Sequence, residues 1–261
     1  QLFSIIKNHE LYNLLNSELK KDILFKRKKA ISKSYNLIIN CDVNSLFTKK
    51  YFFKKINKSY DSFAHTTIID HKKIPCNDTA IQIFTKKGPM AFLPISNNKT
   101  SVVFSARGSK DLNFASLIKK YNFKYSILKI NEISNINLKS LTLRNYYFKN
   151  ILAFGDLLHK LHPLAGQGFN MSIRDMKLLL NLIQSRLING LELDSTICEE
   201  FERRSKHKNY LFSNGIDFIY EFFNLESKIN HPILSKSVQL IGKNKYVNNF
   251  FIKFADNGIV T

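Results

Sequence analysis

Gly155, Asp156, His159, His162, Pro163, Gly166, Gln167, Gly168, Phe169 and Asn170 fall within the single stretch 151–170. No other part of the chain gathers so many groups able to bind or react. The apolar run 151–154 reads as a buried strand, Gly155-Asp156 as its carboxyl end, 160–168 as a Pro/Gly loop, and the residues from about Asn170 as a helix. An α/β protein places ligands in the crevice outside the carboxyl ends of its strands. The next helix presents unpaired N–H groups and a partial positive charge there. In this reading Gly155 lets a ligand approach the backbone, and Gly166 and Gly168 supply a tight turn with φ > 0. Asp156 can accept hydrogen bonds from the hydroxyls of a ribityl or ribose group. The plainer alternative is an ordinary turn after a strand. Asp156, His159 and His162 have spacing that metal ligands use, but Pro163 breaks the helix they would need and no Cys/His cluster accompanies them. His159 is therefore expected to be a hydrogen-bonded structural histidine, and no metal is expected. The glycines are not a dinucleotide fingerprint, because Met171 stands three residues after Gly168.

The full pattern, Gly155-Asp-x-x-His159-x-x-x-Pro163-x-x-Gly166-Gln-Gly168-x-Asn170, resembles the second FAD motif of aromatic-ring flavoprotein monooxygenases with the para-hydroxybenzoate hydroxylase fold. Its continuation through Arg174-Asp175 is similar to the branch that hydroxylates polyprenylated phenols in ubiquinone biosynthesis. The resemblance implies that Asp156 holds the ribityl chain of FAD. It implies that Pro163, Gly166, Gln167, Gly168, Phe169 and Asn170 lie along the isoalloxazine ring. Asp42, Asn44 and Ser45 match a second motif, linked in that family to flavin and nicotinamide. Val43 stands there for a glycine and Thr48 for an arginine, which weakens the case for NAD(P)H as electron donor. A solvated strand end explains Asp42 equally well. Gly88-Pro-Met-Ala-Phe92-Leu93-Pro94 resembles the strand that floors the substrate cavity, making Phe92, Leu93 and Pro94 candidate substrate contacts; core packing accounts for Phe92 or Leu93 taken singly.

Composition bounds the function classes. The apolar content of 44% excludes disorder. No apolar run is long enough to span a bilayer, and no signal-peptide pattern opens the chain. Three widely spaced cysteines fit free thiols in a reducing compartment. The net charge of +20 would ordinarily point to nucleic acid or an anionic membrane. Lys greatly outnumbers Arg, however, and Asn, Ile, Phe and Tyr are abundant, which is the signature of A/T-rich codons. Arg, the residue of bidentate phosphate and base contacts, is scarce, so nucleic acid is not expected.

The elements that must position the motif follow from periodicity. Residues 2–21 carry leucines at helical spacing, and 35–42 suits a buried parallel strand. Residues 62–70, 80–85, 88–94 and 100–105 have β-branched and aromatic character, with 96–99 as a hairpin connection. A helix is expected over 111–121 and a strand over 138–148. A largely buried helix is expected over 176–188 with Gly190 as its cap, another helix over 197–212, and a basic, aromatic helix over 238–254. The chain opens on Gln1 and holds no Gly-x-Gly-x-x-Gly, so an incomplete first FAD-binding segment is expected, with a complete C terminus.

The resulting fold class is α/β: an incomplete FAD/NAD(P)-binding Rossmann-like domain (1–48 and 149–190), interleaved with a mixed β-sheet substrate domain (49–148), and C-terminal helices (191–261). The resemblance implies an FAD enzyme acting on a polyprenylated phenol with O2, in the cytoplasm and peripheral to the inner membrane. Another flavin oxidoreductase, or a non-catalytic relative that binds a partner or membrane, are the alternatives.

Overall fold

The computed structural model describes residues 6–26, 35–85, 87–108, 111–161 and 167–229. The first helix, α1 (Asn8–Lys21), has the expected leucines but buries no residue, and Leu14, Leu15 and Leu19 are exposed. After it, β1 (Ile38–Asn40) realises the short apolar run, and α2 (Leu46–Tyr51) starts at Ser45, whose hydroxyl caps the Thr48 N–H.

The strand-rich middle follows the alternation of its side chains. It comprises β2 (Lys55–His71), β3 (Ile81–Thr85), β4 (Gly88–Ser96), β5 (Lys99–Arg107), the helix α3 (Phe114–Tyr121), β6 (Ile127–Ile130) and β7 (Ser134–Leu143). The expected hairpin at Asn97-Asn98 joins β4 to β5. The helix α3 begins three residues later than the sequence indicated, because Asn113 accepts the Ser116 N–H and fixes the start. The expected single strand over 138–148 divides: β7 ends at Leu143, and β8 (Tyr147–Phe148) joins a different sheet. There follow β9 (Ile151–Ala153), a 3-10 turn at Gly155–Leu157, β10 (His159–Lys160), α4 (Gln167–Ile188) and α5 (Ser195–Ile229).

Two sheets result. The smaller has the order β1-β9-β8, with β1 parallel and β8 antiparallel to the fully buried β9. The larger runs β10-β7-β2-β5-β4-β3, with β6 also paired to β2. All its pairings are antiparallel, where a mixed sheet was expected. Long β2 serves both ends of this sheet because its register with β7 shifts between Ser59 and Phe63, where Asp61 takes φ +50°.

Burial divides the sheet's two faces. Ile69, Met90, Phe92, Val102, Phe104 and Ala106 pack with Phe114 and Ile118 of α3. On the other face Tyr60, Ala64 and Leu138 meet Met171 of α4 and Phe212 and Ile216 of α5. A third cluster joins β9 to Leu179 and Leu182 of α4 and to Ile197, Cys198 and Phe201 of α5. Burial pushes the Cys198 thiol up to about 12, so it packs as an inert apolar group, and all three cysteines are free thiols. The expectation of a largely buried α4 is corrected. Only one stripe (Met171, Asp175, Leu179, Leu182) is buried, whereas Leu180, Leu187 and Ile188 are exposed. The helix ends at Gly190 as expected, while α5 continues well past residue 212. Among the described residues no helix is long and apolar enough to cross a membrane, and the expected helix at 238–254 lies outside them.

Gly88 marks where the β3–β4 hairpin presses on β5. Its φ is +135°, and a Cβ there would lie 1.9 Å from the Ser105 carbonyl oxygen. Both conformation and space exclude a side chain. Gly88→Ala is expected to lower unfolding free energy by at least about 2 kcal/mol, measured by urea titration. A wild-type midpoint would show that the strand edge relaxes freely.

Candidate functional site

Parallel pairing puts two strand ends side by side. Asn40 of β1 is in register with Ala153 of β9, and the Phe154 N–H continues the ladder to the Asn40 carbonyl at 2.9 Å. Asp42 and Asp156 therefore leave the sheet at the same carboxyl edge, where open α/β sheets bind ligands.

Gly155 makes the exit from β9 with φ +65°, and a 3-10 turn carries Asp156. Asp156 is exposed, and its carboxylate has no hydrogen-bond or ion-pair partner among the described residues. The turn beneath it is firmly held. Leu157 and Leu158 are fully buried, and the Leu143 N–H donates to the Leu158 carbonyl at 2.8 Å.

The next residue is the anchor of the site. His159 is buried, and its Nε2 donates to Asp175 Oδ2 at 2.7 Å. Asn209 Nδ2 donates to both Asp175 oxygens at 3.1 Å. The strand-end turn, α4 and α5 are thus joined at one buried carboxylate. The Tyr146 hydroxyl lies near this cluster, and burial raises its pKa well above that of an ordinary phenol, so it stays neutral. His159 is the structural histidine expected from the sequence. Sequence reasoning named neither Asp175 as its partner nor Asn209 as the second partner of Asp175, since no local spacing connects residues 159, 175 and 209.

The helix that faces the strand ends starts earlier than the sequence indicated. Gln167, Gly168, Phe169 and Asn170 form the first turn of α4, so Gly168 is helical and does not supply the expected positive-φ turn. Glycine is a poor helix residue, and a Cβ at Gly168 would meet nothing within 4 Å. Packing among the described residues therefore gives no reason for a glycine there. Phe169 is 59% exposed on the same turn. Pro163 and Gly166, like His162, lie outside the described residues.

The second motif is organised around Thr48. Buried Thr48 donates its hydroxyl to the Asp42 carbonyl at 2.6 Å and accepts from Asn40 Nδ2 at 2.8 Å. Asp42 Oδ1 accepts the Asn44 N–H at 2.8 Å, so part of this carboxylate closes its own turn. Thr48, in place of a charged side chain, locks the loop and offers nothing to a ligand. Exposed Val43 supplies no polar group either.

The substrate candidates separate by strand parity. Phe92 and Pro94 are buried, and Phe92 packs in the cluster under α3, so neither reaches the face toward α4 and α5. Leu93 points to that face, with Ala91, Ser101 and Val103 beside it by register. Core packing, the alternative weighed for Phe92 and Leu93 singly, holds for Phe92.

The pattern of a family described as FAD binding domain matches residues 110–190. The chain is 22% identical over 85% of its length to the mitochondrial ubiquinone biosynthesis monooxygenase COQ6 of Schizosaccharomyces pombe, covering 57% of that protein. It is 28% identical over 56% of its length to 3-demethoxyubiquinol 3-hydroxylase of Escherichia coli, covering 40% of it. Among solved structures, p-nitrophenol 4-monooxygenase from Pseudomonas putida superposes with a TM-score of 0.69 at 10% identity, over 86% of this chain and 60% of that one. The Diels-Alderase PyrE3 gives 0.65 at 15% identity, over 86% and 50%. The chain thus shares its fold with these two solved structures, and it spans about half the length of the curated relatives it matches.

Proposed function

We propose that the carboxyl ends of β1 and β9, with the first turn of α4, hold FAD, and that the protein hydroxylates the ring of a polyprenylated phenol in ubiquinone biosynthesis. The observation that carries the FAD assignment is the exposed Asp156 carboxylate, without a partner among the described residues, on the strand-end turn. The functions of the similar ubiquinone biosynthesis monooxygenase and 3-demethoxyubiquinol 3-hydroxylase support the substrate class. In this reading Asp156 accepts from ribityl hydroxyls, Gly155 and Gly168 allow close approach, and the start of α4, including Gln167, Phe169 and Asn170, lies along the flavin. Pro163 and Gly166 complete that wall. FAD, when bound, supplies the electrons that activate O2, and NAD(P)H is the proposed donor.

The chain's own part is binding, orientation and exclusion of water. The macrodipole of the 22-residue α4 favours negative charge at its start. Leu93 and its neighbours on the inner face of β4 and β5 offer an apolar wall for a ring substrate. Asp42 takes a subsidiary place at the edge of the site. We assign 1–48 and 149–190 to the FAD-binding part, 49–148 to the substrate sheet and 191–261 to the helical region; the pairing of β10 with β7 ties the first two together.

A polyprenylated substrate partitions into bilayers. The segment 238–254, with Lys243, Lys245 and Lys253 among Val, Ile and Phe, would bring the protein to an anionic surface. Vesicle co-sedimentation that falls as salt is raised is the expected outcome; salt-independent binding, or none, removes this contact.

Asp156→Ala tests the cofactor site. In the protein expressed with whatever its reading frame places ahead of Gln1, FAD affinity should fall by roughly 1.5–3 kcal/mol, the worth of hydrogen bonds to a charged group. Flavin fluorescence titration reads it directly. Unchanged affinity would place the cofactor elsewhere.

A further inference from the structure

A cleft of about 840 Å³ opens between α5 and the strands at the β7–β8 end of the fold. It contains none of the residues assigned to the flavin. The strand β8 lies between it and β9, while β1 occupies the opposite edge of that sheet. The volume falls in the range of small-molecule sites.

Its lining is chemically uneven. Ile56, Leu143, Tyr147 and Tyr210 give an apolar and aromatic surface. Arg144 enters from the β7–β8 connection and Arg203 from α5, and both are exposed. Neither guanidinium has a hydrogen-bond or ion-pair partner among the described residues. Nearby carboxylates do not neutralise them. Glu202 accepts the Tyr146 N–H at 2.9 Å and pairs with Lys206 at 2.5 Å. Glu199 stands one turn before Arg203 without forming an ion pair with it.

Unpaired guanidiniums in a concave site present forked donors suited to a carboxylate or phosphate. We propose that this cleft binds an oxyanion carried on an aromatic or apolar body, with Arg144 and Arg203 taking the anion and Tyr147, Tyr210 and Ile56 contacting the body. Glu199 in the lining disfavours ligands of high negative charge, since a like charge nearby opposes binding. The strongly basic chain adds long-range attraction for such a ligand.

The test needs no flavin. Calorimetric titration at low ionic strength with benzoate and with phenyl phosphate should give saturable binding of at least one. The preferred probe identifies the oxyanion as carboxylate or phosphate. Arg144→Ala with Arg203→Ala should weaken binding at least about tenfold, with the melting temperature unchanged. Glu199→Gln should tighten it. Failure of both probes to bind the wild type, wild-type affinity in the double variant, or weaker binding in Glu199→Gln would overturn the proposal.

Discussion

The carboxylate of Asp175 is the point on which the site's geometry depends. It is buried between three elements distant in sequence: the turn after β9 through His159, its own helix α4, and α5 through Asn209. A buried carboxylate is costly unless its lone pairs are met, and leaving either partner unmatched is heavily destabilising. The network therefore permits one relative placement of these elements. That placement fixes the exposed Asp156 and the first turn of α4 relative to one another. The rigidity comes from buried groups, and the candidate groups Asp156 and Phe169 are left exposed.

The same division holds in the larger sheet. One face is closed by α3 and built from large aromatic and aliphatic side chains. Among the described residues the other is covered by Met171, Phe212 and Ile216. Where helices do not cover it, small and medium side chains such as Ala91, Leu93 and Val103 remain half-buried. A sheet finished on one face and partly open on the other can serve as both core and ligand wall.

Much of this was legible in the sequence because it is local. The buried strand announced itself at 151–153 and the hairpin at Asn97-Asn98, while the expected strand near 38–40 formed with Ile39 exposed and only Asn40 buried. His159 was identified as structural because Pro163 denied it a metal-binding helix. What was missed depends on tertiary contact. Asn209 could not be joined to Asp175 by spacing, and the burial of Phe92 and Pro94 followed from which face α3 covers. The early start of α4 was obscured by Gly166 and Gly168, whose turn chemistry outweighed helix propensity in the reading. Thr48 was noticed as a departure, but its bond to the Asp42 carbonyl, which makes it a loop lock, appears only in three dimensions. The cleft at Arg144 and Arg203 joins residues far apart in the chain, and no motif marks it.

A double-mutant cycle between His159 and Asp175 tests the central claim most directly. The single changes are His159→Gln and Asp175→Asn, and unfolding free energy and FAD affinity are measured for all four proteins. Direct coupling through the buried pair predicts an interaction energy of about 1–3 kcal/mol in stability, with FAD affinity reduced in both single variants. Additive stability effects, with FAD affinity at the wild-type level, would contradict the view that this pair holds the strand end and the helix in place.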